Sequence, residues 1–286
     1  MSAQSILVTG GNGLLASEIK AIAPHGTVFC DKDEMDITSL NSIRSFIEDK
    51  KFYCIINCAA GRDAEYLESH EDEAYDISVN GPANLAVVAN ELGATLIHIS
   101  TDYVFDGKKS SPYVETDATN GLSVYGRVKA QGEQAALSTA DTAIVIRTAW
   151  LFSSYGKDFV KTIKNLAETR SEIGVVWDQV GTATYAGDLA KVILEIAPEI
   201  KPQTKEIYHF SNEGVCSWYD LAYNIVKAFG LQNKCQVKPL LTHEYPMKAP
   251  RPTYSVLDKS KIKKDFGIKI RHYSEALSDC VAKIRG

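Results

Sequence analysis

The chain begins with a short apolar run, Ser5-Ile6-Leu7-Val8-Thr9, followed at once by Gly10-Gly11-Asn12-Gly13 and a stretch with helical spacing of its apolar residues. The same alternation then recurs. Thr27 to Cys30, Tyr53 to Asn57, Leu96 to Ser100 and Ala143 to Arg147 are apolar almost without interruption. Between them, apolar residues three and four apart predict a helix of about 11 residues after Gly13, and others from Ser39 to Glu48, Asp76 to Leu92 and Gly126 to Leu137. Ser39 suits a helix start because its hydroxyl oxygen can take a first-turn N–H. A strand that is apolar at every position is buried on both faces, as in a parallel sheet covered by helices. Crossovers of this length then predict an α/β fold, a doubly wound parallel sheet of Rossmann type.

The second half is less regular. Helical spacing returns in Lys157 to Glu168, Ala186 to Ile196, Ser217 to Phe229 and His272 to Ile284, and Ile173 to Trp177 and Glu206 to Phe210 read as strands. Pro239 to Pro252 carries four prolines and predicts an ordered loop with little regular structure. These segments predict a smaller α/β lobe over 151–286, with some returning to the sheet of 1–150.

Composition narrows the partners. With 31 Lys and Arg against 36 Asp and Glu, the net charge of -5 offers no footprint for nucleic acid. No apolar stretch approaches the roughly 18 residues of a membrane span, and the N-terminus lacks a leader pattern, so the cytoplasm is expected. The six cysteines form no CxxC pair, which predicts neither a structural zinc site nor a disulfide scaffold.

The glycine turn is the first candidate site. Gly10, Asn12, Gly13 and Leu14 follow a strand and open a helix, with the small Ala16 where helix and strand pack closely. Such a turn lets backbone approach a pyrophosphate and aims free N–H groups at it. Asp31 ends the second strand, where an acid binds the adenosine ribose hydroxyls of NAD. Lys32 follows and softens the repulsion of a 2'-phosphate, so NAD and NADP both stay open. Asp36 and Ile37 are placed to flank the adenine, unless Asp36 serves only the next helix. Cys58, Ala59 and Ala60 leave room for a ligand at a strand end. Asn80, unfavourable inside a helix, ties backbone groups beneath the cofactor or serves only the helix surface.

Tyr125 and Lys129 are four apart and share a helix face. A carbonyl reductase needs a proton donor, and an ammonium nearby steadies the phenolate that donation leaves. Ser100 and Thr101 end the fourth strand, where an open α/β sheet faces its ligand. Thr101 can polarise the substrate oxygen. Asp102 and Tyr103 either meet substrate hydroxyls or form a turn. Trp150 either walls the sugar site or packs between lobes, and Arg251 either pairs with a substrate phosphate or sits at the surface.

With these motifs the chain resembles the extended short-chain dehydrogenase/reductases, and within them the dTDP-4-dehydrorhamnose reductase family. The resemblance spans nearly the whole chain. It rests on Thr9-Gly10-Gly11-Asn12-Gly13, Asn57-Cys58-Ala59-Ala60, Ser100 to Gly107, Tyr125-Gly126-Arg127-Val128-Lys129, Arg147-Thr148-Ala149-Trp150, Asp178 to Thr184 and Arg251-Pro252. It implies NAD(P)H-dependent reduction of the 4-keto group of a nucleotide-linked 6-deoxyhexose, in the service of polysaccharide synthesis. Thr101, Tyr125 and Lys129 would form the catalytic set. Asp102, Tyr103 and Trp150 would line the sugar pocket, with Gln179, Thr184 and Arg251 near the substrate or the rim. Some members are dimers and some are described with magnesium. The chain departs from the family at Gly61-Arg62-Asp63-Ala64-Glu65 and Gly121-Leu122-Ser123, and Arg62 is expected to influence the choice of sugar. Two rivals share the fold: a regulatory protein resembling the beta subunit of methionine adenosyltransferase, and an epimerase or dehydratase using Asp102.

Overall fold

The computed structural model describes residues 5–61 and 63–286. Its centre is a six-stranded parallel sheet. β1 (Ser5–Thr9), β2 (Val28–Cys30), β3 (Phe52–Asn57), β4 (Thr95–Thr101) and β5 (Ala143–Thr148) supply five strands. After the short β6 (Leu151–Phe152), β7 (Glu172–Val176), β8 (Val180–Gly181) and β9 (Thr184–Tyr185), the chain returns as β10 (Lys205–His209) to pair with β5. The order is β10-β5-β4-β3-β1-β2, so the winding reverses between β1 and β3.

Both faces of the sheet are covered. Ile6, Val8, Cys54, Ile56, Ile97, Ile144 and Ile146 face α1 (Leu14–Ile22) and a later helix, Ala186–Ile196. Leu7, Ile55, Leu96 and Ala143 face the other way, toward α2 (Leu40–Ile47) and two further helices. This is why the strands are apolar at every position. Ser39 caps α2, accepting the Ser42 N–H at 3.3 Å.

The region before the second covering helix differs from the pattern. Two short helices absent from the sequence reading, α3 (Ala64–Leu67) and α4 (Glu71–Tyr75), come first. Asp76–Asn80 is then a π turn, and only Gly81–Leu92 (α5) is regular. Pro82 explains the break: it has no N–H to give to the carbonyl four residues back, so the ladder must be rearranged there. The freed backbone is in close contact with α6 (Val124–Thr139). A Cβ at Gly132 of α6 would lie 1.8 Å from the Ser78 carbonyl oxygen.

The remaining elements are α7 (Phe159–Thr169), α8 (Ala186–Ile196), β11 (Cys216–Ser217), α9 (Trp218–Ala228), β12 (Gln236–Leu240), α10 (Ser260–Phe266) and α11 (Tyr273–Arg285). α7, α9 and α11 pack with β7 and β12 around a core of their own. β12 and α10 lie outside the sequence expectation. β12 contains Pro239 and pairs only with β7, so the proline sits on an edge strand, where its missing N–H is tolerated. No helix among the described residues is long and apolar enough to cross a membrane.

Gly132→Ala should lower the unfolding free energy by about 3 kcal/mol, since neither backbone can yield cheaply. Urea denaturation measures this. A loss below about 0.5 kcal/mol would mean that α6 does not touch the π turn.

Candidate active site

The winding reversal opens a crevice at the carboxyl ends of β1 and β3. Gly10 lines it with φ +66°, and a Cβ there would stand 2.8 Å from the Ala59 nitrogen. Only glycine lets the first loop lie against the end of β3. Gly13 caps α1 with no side-chain bond, leaving first-turn N–H groups free for an anion. Asp31 holds this loop: its carboxylate accepts the Asn12 N–H at 3.0 Å and the Lys32 N–H at 2.8 Å.

Two cavities follow the crevice. One, of about 180 Å³, has Asp31, Lys32, Asp36 and Ile37 on one wall and Gly10, Cys58, Ala59 and Ala60 on the other. Asp36 also braces its own bend, accepting from the backbone and hydroxyl of Thr38. The second cavity, of about 330 Å³, runs from Gly13 and Leu14 past Ser100 and Thr101 to Tyr125, Lys129 and Trp150. A glycine loop built for close backbone approach and two cavities in line fit a dinucleotide.

α6 brings the candidate catalytic side chains in. Ser123 caps it through the Gly126 N–H. Tyr125, Lys129 and Glu133 then recur every four residues on its sheet-facing side. Glu133 and Arg147 are both fully buried. The carboxylate accepts Arg147 Nε at 2.9 Å and Nη2 at 2.6 Å, and also the Ser100 hydroxyl. Ser100 therefore lines the cavity with its hydroxyl already committed.

Burial pushes the Tyr125 phenol up to about 12; the Thr101 hydroxyl opposes this and Asp102 adds to it. Burial lowers Lys129 to about 8 against the opposing pull of Glu133 and Cys58. At neutral pH the phenol thus holds its proton, while the amine sits close to its titration point. Lys129 Nζ donates to the Ile99 carbonyl at 2.6 Å and lies 3.4 Å from His98 Nε2. Thr101 Oγ1 donates to Asp102 Oδ1 at 3.1 Å. Asp102 is buried, its Oδ2 has no partner, and burial raises it to about 7.

Tyr103 stands edge-on to Tyr125, ring centres 5.9 Å apart, and feels the charges of Arg251 and Glu65 from its other side. Trp150 has φ +47°, an uncommon conformation for so large a residue, and its ring stacks on Trp218 at 3.7 Å. Trp218 borders a third cavity of about 280 Å³, which also takes Gln179, Tyr245, Met247 and Arg251. Gln179 donates to the Thr242 hydroxyl at 3.2 Å. Glu65 links α3 to the proline-rich segment: it accepts the Lys248 N–H at 2.8 Å and lies 3.9 Å from Arg251.

Two of the sequence-predicted site residues stand apart from these cavities. Thr184 is fully buried in β9 and lines none of these cavities. Its N–H donates to the Trp150 carbonyl at 3.2 Å and braces the tryptophan. Asn80, at the end of the π turn, is exposed, and its amide donates to Asp76 one turn back at 2.7 Å. Arg62 lies outside the described residues. Glu133, His98, Glu65 and Trp218 escaped the sequence reading. Of these, only Glu133 carried a signal, as the next step in the four-residue spacing of Tyr125 and Lys129.

Among the described residues no group of three or more His, Cys, Asp or Glu side chains is placed to hold a metal ion.

The model of the RmlD substrate binding domain matches residues 4–285 of this chain. A dTDP-4-dehydrorhamnose reductase of Aggregatibacter actinomycetemcomitans is 39% identical over 285 residues, covering 96% of this chain and 97% of that one. The crystal structure of a dTDP-4-dehydrorhamnose reductase ortholog from Clostridium acetobutylicum superposes with a TM-score of 0.93 at 38% identity, covering 99% of this chain and 100% of that one. That of the Bacillus anthracis dTDP-4-dehydrorhamnose reductase in complex with NADP also gives 0.93, at 31% identity over 98% of this chain and 99% of that one.

Asp102 has a higher pKa folded than unfolded. Its contribution to stability is therefore full below the ordinary carboxylate range and is lost as pH rises to about 7. Asp102→Asn removes this titration. From about pH 4 to about pH 8 the variant should gain up to roughly 4 kcal/mol relative to the unmodified protein. Denaturant titrations at both pH values check this, and parallel pH profiles for the two proteins would refute it.

Proposed function

This chain belongs to the RmlD substrate binding domain family, and from that membership we propose that it reduces the 4-keto group of dTDP-4-dehydrorhamnose with NADPH. The observation that carries the reading is a protonated, half-buried Tyr125 that shares one cavity with Lys129, Thr101 and the open N-terminus of α1.

We assign the dinucleotide to 1–150 and the sugar nucleotide mainly to 151–286. Gly10, Asn12, Gly13 and Leu14 would hold the pyrophosphate, and Asp36, Ile37 and the small residues Cys58 to Ala60 the adenosine half. Both Asp31 oxygens already take backbone N–H groups, so its charge is partly spent while Lys32 stays exposed beside it. This favours a 2'-phosphate, hence NADPH. When bound, NADPH supplies the hydride that goes to the carbonyl carbon.

The chain's own residues supply the rest. With substrate bound, Thr101 turns its hydroxyl proton from Asp102 to the carbonyl oxygen and polarises it. Tyr125 gives its proton to the same oxygen, and the Lys129 ammonium steadies the phenolate left behind. Trp150 closes the sugar site, held in its strained pose by Thr184 and Trp218. Arg251 and Gln179 border the cavity beyond, where a guanidinium can take a diphosphate by two parallel bonds. Asp102 and Tyr103 lie behind Thr101 and shape that passage. We infer a cytoplasmic location, which a nucleotide-sugar substrate and a dissociable dinucleotide support.

A coupled assay decides among the rivals. The reductase consumes NADPH in step with product, a dehydratase or epimerase recycles its cofactor, and a regulatory protein turns over nothing. Tyr125→Phe should lower kcat by about 10²- to 10⁴-fold while NADPH affinity, measured by calorimetry, stays close to normal. Full turnover in that variant would exclude the phenol as donor. Because the charged form of Lys129 is required, kcat/KM for reduction should fall as pH rises through about 8. A profile flat to pH values well above that would remove the lysine from the step.

A further inference from the structure

A line of buried polar groups connects the catalytic lysine with the wall of the dinucleotide cavity, and its middle members have no part in the steps above. His98 lies on β4, wholly buried, in register with Asn57 of β3 and Val145 of β5. Its Nε2 is 3.4 Å from Lys129 Nζ, and its Nδ1 is 3.0 Å from Asn57 Nδ2. Asn57 Oδ1 accepts the Thr9 hydroxyl at 2.7 Å and the Ala59 N–H at 3.2 Å. The same N–H lies 3.3 Å from Thr9 Oγ1.

The donor and acceptor inventory directs this line. The Asn57 oxygen is taken twice, so its amide N–H points at the ring and Nδ1 accepts. A neutral imidazole that accepts at one nitrogen carries its proton on the other. That nitrogen is Nε2, which faces Lys129. An N–H aimed at a neutral amine meets its lone pair. Aimed at an ammonium, it meets another donor. Burial and the lysine's charge keep His98 neutral, so the ring cannot answer by taking a second proton. It can answer only by moving its one proton to Nδ1. Asn57 then turns its oxygen to the ring and its amide to Thr9 Oγ1; the Thr9 hydroxyl gives up its own bond to Asn57, rotating its proton away, and its oxygen accepts from both Asn57 and Ala59.

We propose that His98 is a positioning residue for Lys129, its ring tautomer following the lysine's charge and passing that state through Asn57 and Thr9 to the Ala59 N–H. Each state of the lysine then has one matching arrangement of the line. The amine is held in place in both, and the strand that walls the dinucleotide cavity senses which one is present. The other titratable groups near the pair are Tyr125 and Glu133, one turn to either side on α6, and Cys58 at the end of β3. Glu133 is already neutralised by Arg147 of β5.

This rests on the reading of Lys129 as the aid to Tyr125, but its first test does not. The full chain labelled with ¹⁵N-histidine, without ligand, gives the tautomer directly by two-bond proton–nitrogen correlation, with His98 assigned by its absence in His98→Gln. The expected result is a neutral ring at all pH values, protonated on Nε2 above the lysine's titration near about 8 and on Nδ1 below it. Lys129→Met should abolish the change. One tautomer throughout, or an imidazolium, overturns the proposal. In turnover, His98→Leu should lower kcat by about 10- to 100-fold with KM for NADPH unchanged, because the amine loses its support. His98→Gln, which can donate or accept, should recover most of it; equal losses in both variants would indicate packing alone and overturn the positioning role. A chain that switches tautomer but never oxidises NADPH would refute the reductase reading and leave this one standing.

Discussion

The ion pair between Glu133 and Arg147 is the constraint on which the site depends. It joins the middle of α6 to the end of β5 with both charges out of water. Such a pair gives little net stability, yet removing one member strands a buried charge at a cost of about 3–5 kcal/mol. Its value here is placement. With Glu133 fixed to the sheet, the helix can neither slide nor rotate, and Lys129 and Tyr125 fall one and two turns earlier on the same face. Ser100 adds a third bond to the carboxylate from β4. The catalytic helix is thus registered against the two strands whose ends carry Thr101 and Trp150.

A second polar junction does for the lobes what this pair does for the helix. Glu18 is buried on α1, the helix whose first turn opens on the dinucleotide crevice. It accepts from the hydroxyl of Ser153 at 2.7 Å, from the Ser154 N–H at 3.2 Å and from the Tyr185 hydroxyl at 3.3 Å. These three hydrogen-bond partners lie just after Trp150 or just before α8, where the chain enters and leaves the second lobe, and Lys283 of α11 stands 3.8 Å away. The helix that would hold the cofactor and the loop that carries the substrate wall therefore move as one body. Hydride transfer needs that, because a small error in the separation of donor and acceptor is costly in rate. The left-handed backbone of Trp150 is sustained by the same surroundings, with Thr184 on its carbonyl and Trp218 on its ring.

How much of this could be read in the residues depends on the range of the interaction. The strands and most helices were legible because burial on two faces leaves a continuous apolar run, and burial on one leaves a helical period. The glycine turn, the strand-end threonine and the Tyr125–Lys129 spacing were legible because each is local. The region from Asp63 to Asn80 was not. Its helices are too short to show a period, and Pro82 sets a π turn whose effect on Asn80 depends on ladder geometry. β12 was hidden by its own proline, which only the absence of a second neighbour excuses. That Thr184 would be buried in β9 with its N–H on the Trp150 carbonyl was not legible either, since it joins positions 34 residues apart.

The order of residues by itself determined the class of fold and singled out the glycine turn and the Tyr125–Lys129 pair, because these follow from periodicity, turn chemistry and groups a few residues apart. Only the folded chain decided that Glu133 would meet Arg147, that His98 would sit between Lys129 and Asn57, and that Glu65 would reach across to Arg251. Those contacts join positions 14 to 186 residues apart, and at such distances sequence carries no geometry. Burial then set the working charges. A phenol, an amine and a carboxylate ordinary in water were driven up, down and up by the solvent the fold removes.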